Sequence, residues 1–265
     1  MTDNKIWLVV GAVAAAFAVG AGVYWWTGRE GREAPAVVDA PPQDVSPPQT
    51  VEPEPADVEL PPLGQSDEFV RQLVGGLSSH PRFAAWLVTD DLIQRFVVTV
   101  ENVADGSNPA SQLPFLRPGG RFVTTGAEPE LRIDPRSYAR YDGAAAVVDS
   151  IDAAGVAELY RTLRPLIDEA YRELGYPEGG FDETLERAIR RLLETPVLER
   201  QDATLISRAP FFEFVDENFE ALSPVQKQLM GMGPQNVRVV QAKLRELAAA
   251  LGIPAERLPR PVVLR

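Results

Sequence analysis

Residues 226–247 read QKQLMGMGPQNVRVVQAKLREL, and their Gly-x-Gly-Pro elbow decides how the chain folds. A glycine-rich turn before a helix can cradle a phosphate, as in P-loops, where a lysine follows the glycines. Here Lys227 precedes Gly231 and Gly233, and no apolar strand leads into the turn. Pro234 also removes one amide that a cradle would use. The elbow therefore predicts a corner between two helices, with Gly231 or Gly233 as the left-handed cap and Pro234 at the start of the second helix.

Apolar residues recur at helical spacing through most of residues 66–265. Ser66, Asp90 or Asp91, Asp152 and Asp182 are predicted to cap or open these helices. Segments 121–133 and 197–215 favour short strands, with Gln201–Asp202 as a turn in the second. We therefore predict a mainly α fold, a helical-bundle soluble domain with minor β-hairpins. The two clearest apolar stripes are Val156, Leu159, Tyr160, Leu163, Ile167, Ala170, Tyr171 and Leu174, and Val237, Val240, Leu244, Leu247 and Leu251.

Residues 6–26, IWLVVGAVAAAFAVGAGVYWW, form a run of 21 positions without a charged side chain. At ~1.5 Å per residue such a helix spans roughly 30 Å, the thickness of a bilayer's hydrocarbon core. Trp7 and Tyr24–Trp26 place aromatic rings at its two ends, where membrane interfaces favour them. The run predicts one uncleaved transmembrane helix in contact with membrane lipid. A cleaved signal peptide is the alternative, since Ala16–Ala18 loosely matches a cleavage site, although inside the apolar run.

Charges beside this run are almost balanced, with Lys5 on one side and Arg29 and Arg32 on the other. Residues 1–5 make a tail short enough to stay in the cytoplasm while the long remainder is exported, and we expect that orientation. A row of small residues spaced four apart would let two such helices approach and form a homodimer, although small residues are ordinary in membrane spans. The row is Ala12, Ala16 and Gly20.

Residues 27–65 are predicted to form a disordered Pro-rich acidic linker. Within them, residues 34–62 carry six acidic side chains and no basic one, a composition that cannot bury a core and repels itself. Extended at ~3.1 Å per residue, the segment would reach on the order of 90 Å. A Pro-rich recognition ligand is the weaker alternative, because no basic residue flanks a Pro-x-x-Pro core. The acidic residues are Asp39, Asp44, Glu52, Glu54, Asp57 and Glu59.

The chain has a net charge of −12, no cysteine and one histidine. An acidic surface argues against a nucleic acid partner, because phosphates bind clustered Lys and Arg. Without cysteine the chain has no disulfide, thiolate nucleophile or zinc–thiolate site, and one histidine leaves no Ser–His or multi-histidine constellation within it. His80 precedes Pro81, where a cap or surface role is expected. We therefore expect no metal, no cofactor and no catalytic residues.

Two acidic pairs, Asp90–Asp91 and Asp216–Glu217, have the groups needed for acid–base chemistry. Both pairs stand at predicted helix starts, where carboxylates suit the helix dipole, so we expect them to cap helices. Phe211–Phe214, which reads FFEF, forms either a sticky surface patch or a core strand. Packing in the core is expected.

Residues 134–143, DPRSYARYDG, concentrate arginine and tyrosine in one short segment, termed here the Tyr–Arg segment. Planar guanidinium donors and aromatic faces are favoured where glycans, carboxylates or protein surfaces are held. The alternative is that the tyrosines pack on the core while the arginines pair with the acidic excess. The candidate ligand or partner surface consists of Arg136, Tyr138, Arg140 and Tyr141.

Several blocks of the soluble part resemble an uncharacterised bacterial family, domain of unknown function 3014. They are the elbow stretch, LYRTLRPLIDEAYRELGYPEGGFDETLERAIRRLLETP (159–196), SDEFVRQLV (66–74), RFVVTVENVADG (95–106) and DPRSYARYD (134–142). The resemblance implies an N-terminal membrane segment, a Pro-rich spacer and a bacterial envelope setting. It carries over no catalytic residues, since the family has no established activity. In similar sequences Arg commonly replaces Gly231, which weakens any charge-based role for this elbow.

The leading hypothesis is a single-pass protein of the bacterial inner membrane whose periplasmic domain binds a protein or cell-wall partner without catalysis. The alternative is a peptidoglycan hydrolase or transglycosylase that uses a single buried glutamate, Glu158 or Glu169, with a raised pKa. A third hypothesis is an assembly role through paired anchor helices.

Overall fold

The computed structural model describes residues 59–109, 112, 118–176, 180–199, 204–208 and 211–264. The predicted transmembrane run at 6–26, and the linker up to residue 58, lie outside these ranges. Within them, no helix combines the length and apolar character needed to cross a membrane.

Helices account for most of the described chain, which confirms the mainly α prediction. Three short 3₁₀ turns accompany them, at Leu63–Gln65, Ala84–Leu87 and Ala255–Arg257. The α-helices are α1 Asp67–Val74, α2 Leu92–Ala104, α3 Pro135–Ala139, α4 Asp142–Asp149, α5 Ala153–Glu173, α6 Phe181–Leu193, α7 Glu217–Glu220, α8 Pro224–Met230 and α9 Pro234–Ala250.

One hydrophobic cluster joins all of these helices except the short α3 and α7, and the predicted apolar stripes form its main walls. Helix α2 packs against α5 and α6, while α9 packs against α4, α5 and α6. The stripe of α9 is buried from Val237 to Leu247, and Leu251 packs at its edge. Leu174, the last residue of the α5 stripe, is 46% exposed, because α5 ends at Glu173.

The packed part of the chain begins before Ser66, the boundary expected from the sequence. Leu63 is only 5% exposed and belongs to the core, and Leu60 packs against it. The 3₁₀ turn at Leu63–Gln65 contacts α5. The domain therefore takes its first core residues from the end of the Pro-rich segment.

Two small sheets flank the helices and confirm the predicted short strands. The larger is antiparallel in the order β1-β2-β4-β5, with Leu131 opposite Leu205 and Leu205 opposite Phe214. In the smaller sheet β3 pairs in parallel with β6. The predicted turn at Gln201–Asp202 lies outside the described residues. The strands are β1 Thr124–Thr125, β2 Leu131–Ile133, β3 Val197–Leu198, β4 Thr204–Arg208, β5 Phe211–Phe214 and β6 Val263–Leu264.

The prediction that FFEF packs as a strand in the core is correct about the strand and wrong about the core. The segment is a strand, β5, but β5 is the last strand of its sheet, and Phe212 is 39% exposed. Phe212 instead lies beside Phe122, with ring centroids 5.4 Å apart. The described part of this sheet reaches the core through Ile133 and Leu205.

Helix starts confirm some of the predicted caps and correct others. The carboxylates of Asp152 and Asp216 accept hydrogen bonds from the amides two residues later, as N-caps do. Ser66 stands at the cap position of α1, yet its hydroxyl donates to the Leu63 carbonyl at 2.7 Å. Helix α6 starts after Gly180, and Asp182 instead accepts a hydrogen bond from Tyr160 Oη at 2.5 Å.

The cap of α2 is supplied by another helix. Asp91 precedes α2 in a left-handed conformation with φ of 58°, and its own side chain makes no capping bond. The two carboxylate oxygens of Asp67, on α1, accept hydrogen bonds from the amides of Asp91 and Leu92, each at 2.8 Å. A local sequence pattern cannot reveal this cap, because its donors lie 24 and 25 residues away.

Replacing Asp67 with alanine tests this long-range cap. Asp67→Ala is expected to lower the free energy of unfolding by about 1 kcal/mol, because two amides at the start of α2 lose their acceptors. The adjacent control is Glu68→Ala on the same turn, whose side chain is 73% exposed. The control should stay within about 0.5 kcal/mol of the unsubstituted protein. Urea unfolding in non-ionic detergent measures both, and equal losses would contradict the assignment of the cap.

Candidate functional site

The Tyr–Arg segment joins the end of β2 to the start of α4 and contains all of α3. Asp134 caps α3, and its Oδ1 accepts a hydrogen bond from the Arg136 amide at 2.8 Å. The Arg136 guanidinium also binds both carboxylate oxygens, at 2.9 and 2.8 Å. These hydrogen bonds hold the pKa of Asp134 down at about 2. The Arg136 side chain remains 77% exposed, so it covers the carboxylate while facing solvent.

Tyr138 lies against the elbow between α8 and α9. A Cβ atom on Gly233 would sit 2.5 Å from Tyr138 Cγ, so the ring occupies the space above this glycine. Gly233 also has φ of 85° and ψ of 159°, a conformation that residues with a side chain rarely adopt. Packing and backbone geometry both require glycine here. Burial raises the pKa of Tyr138 to about 12.

Tyr141 and Arg140 complete the inner side of the segment. Tyr141 is 2% exposed, its hydroxyl accepts a hydrogen bond from Gln228 Nε2 at 3.3 Å, and burial raises its pKa. Arg140 Nε donates to the Ser137 carbonyl, and its guanidinium carbon lies 5.8 Å from the Phe122 ring and 5.9 Å from the Tyr141 ring. Both tyrosines of the segment therefore pack inward, as the second interpretation of the segment predicted.

Asn236, on the first turn of α9, fastens the Tyr–Arg segment to the elbow. Its Nδ2 lies 3.3 Å from the Tyr138 carbonyl, 3.0 Å from Asp142 Oδ1 and 3.1 Å from the Met232 carbonyl. An amide nitrogen has two hydrogens, so one of them is shared between acceptors. With Asn236 only 4% exposed, these bonds fix the position of α3 relative to α9.

The elbow itself is the predicted helix corner. Helix α8 ends at Met230 and α9 begins at Pro234, with Gly233 between them in the cap position. Gly231 has an ordinary helical φ of −64°, so only Gly233 carries the special conformation. Lys227, the residue that suggested a phosphate cradle, donates to the Glu220 carbonyl at 3.0 Å and pairs with the carboxylate of that residue.

Two further arginines, which the sequence did not single out, lie beside the Tyr–Arg segment. A Cβ on Gly143 would meet the Arg82 guanidinium at 2.5 Å, so Arg82 lies across the start of α4. Arg121 is exposed and adjoins Gly120, whose carbonyl accepts a hydrogen bond from Arg140 at 3.4 Å. No local motif links these residues, because they are far apart in sequence. We call Arg82, Arg121 and Arg136, the exposed arginines in and beside the segment, the arginine face.

The other residues that the sequence singled out are His80 and two glutamates, Glu158 and Glu169. His80 Nδ1 accepts a hydrogen bond from the Arg82 amide at 3.2 Å, which is a turn-capping role. Glu158 is exposed and Glu169 half-buried, so neither is the buried glutamate that the hydrolase hypothesis requires. The most buried glutamate that the structure describes is Glu186, which pairs with Arg257 at 2.8 Å. Across the described ranges, no group of three or more His, Cys, Asp or Glu residues is arranged to hold a metal ion.

Comparison with known proteins places this architecture in a family. The family model described as protein of unknown function (DUF3014) matches residues 92–248, more than half of the chain. The chain belongs to the DUF3014 family. A search of curated proteins found no match, and neither did a search of solved structures. The matched range contains both the Tyr–Arg segment and the elbow, so their contact lies inside the DUF3014 unit, whereas Arg82 lies outside it.

Alanine at the elbow tests the contact with Tyr138. Gly233→Ala is expected to cost on the order of 3 kcal/mol of stability, from strained backbone and the clash with the ring. The matched control, Gly231→Ala, should cost about 1 kcal/mol or less, because its helical φ suits alanine and the added Cβ would lie 3.3 Å from the Gln228 and Lys227 carbonyls, without a clash. In a Tyr138→Ala background the cost of Gly233→Ala should fall, since the clash is removed and the backbone strain remains. Urea unfolding measures the cycle, and equal costs at the two glycines would contradict it.

Acid titration tests the Asp134–Arg136 pair. A carboxylate with a lowered folded-state pKa contributes stability in full above its ordinary value of 3.8, and this contribution is lost as the pH falls towards 2. Arg136→Gln should raise the pKa of Asp134 by about 1 unit, because the guanidinium bonds are lost while the amide bond remains. Carboxyl ¹³C NMR measures the pKa, with Arg172→Gln on α5 as the control. An unchanged Asp134 pKa in Arg136→Gln would contradict the pairing.

Proposed function

We propose that this DUF3014 protein is a membrane-anchored binding module of the bacterial envelope that holds an anionic protein or cell-wall partner on its arginine face. Its N-terminus is a single-pass helix in the inner membrane, and its folded domain faces the periplasm. Paired anchor helices give it a route to homodimers. Binding rather than catalysis is its role.

The arrangement of the arginine face carries this proposal. Arg82 and Arg121 are exposed, and Arg136 is 77% exposed. All three lie around one segment of a chain whose net charge is −12. Guanidinium groups bind carboxylates and phosphates in a planar, directional way. Three exposed arginines around one segment therefore offer groups that suit an anionic partner.

The packing beneath the face supports the proposal as well. Tyr138 and Tyr141 hold α3 against the elbow, and Asn236 bonds the Tyr138 carbonyl. A binding surface gains affinity when its side chains are fixed before the partner arrives, because less conformational entropy is lost. Tyr138 and Tyr141 would thus act by positioning α3, which carries Arg136.

The order of segments supports the anchored part of the proposal. An uncharged run of 21 residues comes first, an acidic Pro-rich stretch follows, and the folded domain begins near Leu60. A tether of this composition keeps a domain near a membrane while allowing it to move over a distance on the order of 90 Å. Such a tether suits a protein that must find a partner close to the membrane.

Membrane extraction tests the anchor. The full-length protein should stay with membranes washed in alkaline carbonate. Ala16→Arg, which puts a charge in the middle of the run, should release a large fraction, because a central arginine costs about 2.5–3.5 kcal/mol on insertion scales. Ser46→Arg adds the same charge to the linker and should change nothing. Carbonate release of the unsubstituted protein, or a mature N-terminus after residue 26, would overturn the anchor.

Sedimentation with isolated sacculi tests the arginine face, because peptidoglycan stem peptides carry carboxylates. Full-length protein in non-ionic detergent should co-sediment at low salt, and Arg82→Gln with Arg121→Gln should reduce the bound fraction at least several-fold. Arg172→Gln with Arg190→Gln is the matched control, since it removes two exposed arginines from α5 and α6. Failure to bind, or equal losses in the two double variants, would contradict a cell-wall partner for this face.

A further inference from the structure

The chain carries its own strongly acidic segment, and its sequence position puts it within reach of the arginine face. Residues 34–58 contain five acidic side chains and no basic one. Their C-terminal end is fixed to the domain, because Leu60 packs against the core and Leu63 is 5% exposed. The five acidic residues are Asp39, Asp44, Glu52, Glu54 and Asp57.

The acidic side chains of the folded domain that lie near the arginine face leave much of it available to an anion. Asp134 is taken up by Arg136, and Asp142 accepts from Asn236. Glu128 and Glu130 lie at the far end of the β1–β2 hairpin, roughly 13 Å from its base at the rise of an extended strand.

Two members of the face remain the main attachment points. Arg82 and Arg121 are both exposed, and neither makes an ion pair with another residue in the described ranges. Because their guanidinium groups are not engaged by the domain's own carboxylates, an incoming anion need not displace one. This distinguishes them from Arg136, which already holds Asp134.

The acidic segment is long enough to reach these residues from its attachment at Leu60. A flexible chain of 25 residues has an end-to-end distance of roughly 25–30 Å, and about 78 Å when extended. A domain of some 200 residues has a radius of gyration on the order of 17 Å. When extended, the segment is therefore longer than the domain is wide, so it can reach the arginine face from Leu60.

We propose that the acidic side chains of residues 34–58 dock on the arginine face of the same molecule, mainly through Arg82 and Arg121. A short tether supplies a local concentration in the millimolar range, so even weak carboxylate–guanidinium pairs are populated. The inference rests on the proposed function in one respect, that an anionic partner uses the same face. The acidic segment then competes with that partner, and docking weakens as salt screens the charges.

Energy transfer between two dyes tests the docking. The chain has no cysteine, so Ser46→Cys in the acidic segment and Thr125→Cys on β1 can be labelled alone. Full-length protein in non-ionic detergent should show transfer that is high at 20 mM salt and several-fold lower at 500 mM, because docking brings residue 46 close to the hairpin. Arg82→Gln with Arg121→Gln should lower the low-salt transfer to the high-salt value. Thermal unfolding of each variant checks that the domain is intact.

A charge-matched arginine control and a variant of the acidic segment distinguish docking on the arginine face from a general effect of charge. Arg172→Gln with Arg190→Gln changes the net charge equally and should leave the transfer unchanged. Replacing the five acidic residues of 34–58 with Asn or Gln (the five-amide variant) should abolish the salt dependence of the energy transfer. Salt-independent transfer, or an equal drop in the two arginine variants, would overturn the docking.

Sacculus binding separates this inference from the proposed function. If the five-amide variant binds sacculi more tightly than the unsubstituted protein, the segment and the partner share the face. If docking is present and sacculi are not bound, the proposed cell-wall partner fails and the intramolecular contact stands. Docking that leaves sacculus binding unaffected by the five-amide change would overturn the competition.

Discussion

Helix α9 buries three polar side chains, and each donates to a backbone carbonyl at the end of a different element. Asn236 reaches the Tyr138 carbonyl, Gln241 Nε2 reaches the Thr195 carbonyl at 2.8 Å, and Lys243 Nζ reaches the Ile151 carbonyl at 2.9 Å. Carbonyls at helix ends lack partners within the helix, and leaving one buried and unbonded costs about 1–3 kcal/mol. The Tyr138 carbonyl also accepts a hydrogen bond from the Tyr141 amide at 3.0 Å, so this cost applies to the other two. Helix α9 therefore fixes the positions of α3, α4 and α6, and a shift of α9 would break several bonds together.

The Tyr–Arg segment shows how one motif can serve both packing and recognition. Its tyrosines face inward, where Tyr138 fills the space above Gly233 and Tyr141 bonds Gln228. Arg136 faces solvent above the carboxylate that caps α3. In α3, Arg136 and Tyr138 lie two residues apart and so project from opposite sides of the helix. In our proposal, rigidity on one side supports binding on the other.

Charge along the chain is distributed unevenly. Residues 34–62 hold half of the net charge of −12, although they are a small fraction of its length. An acidic, Pro-rich stretch next to a domain with exposed arginines creates an electrostatic preference within one molecule, and this preference depends on ionic strength. The composition that makes the segment a tether therefore also makes it a competitor for an anionic partner.

Sequence periodicity alone determined the mainly helical fold, the two buried stripes and the short strands, and the glycines with Pro234 determined a helix corner, because these features depend on residues within one turn or one hairpin of each other. The structure decided that Gly233, and not Gly231, takes the special cap conformation. The sequence also singled out the Tyr–Arg segment and offered the inward packing of its tyrosines as one of two interpretations, and the structure shows that packing. Only the tertiary structure assigned Asp67 as the cap of α2, left Phe212 half exposed at a sheet edge, and brought Arg82 to Gly143. Each of these depends on partners tens of residues away or on the position of a strand within its sheet, which local spacing does not encode.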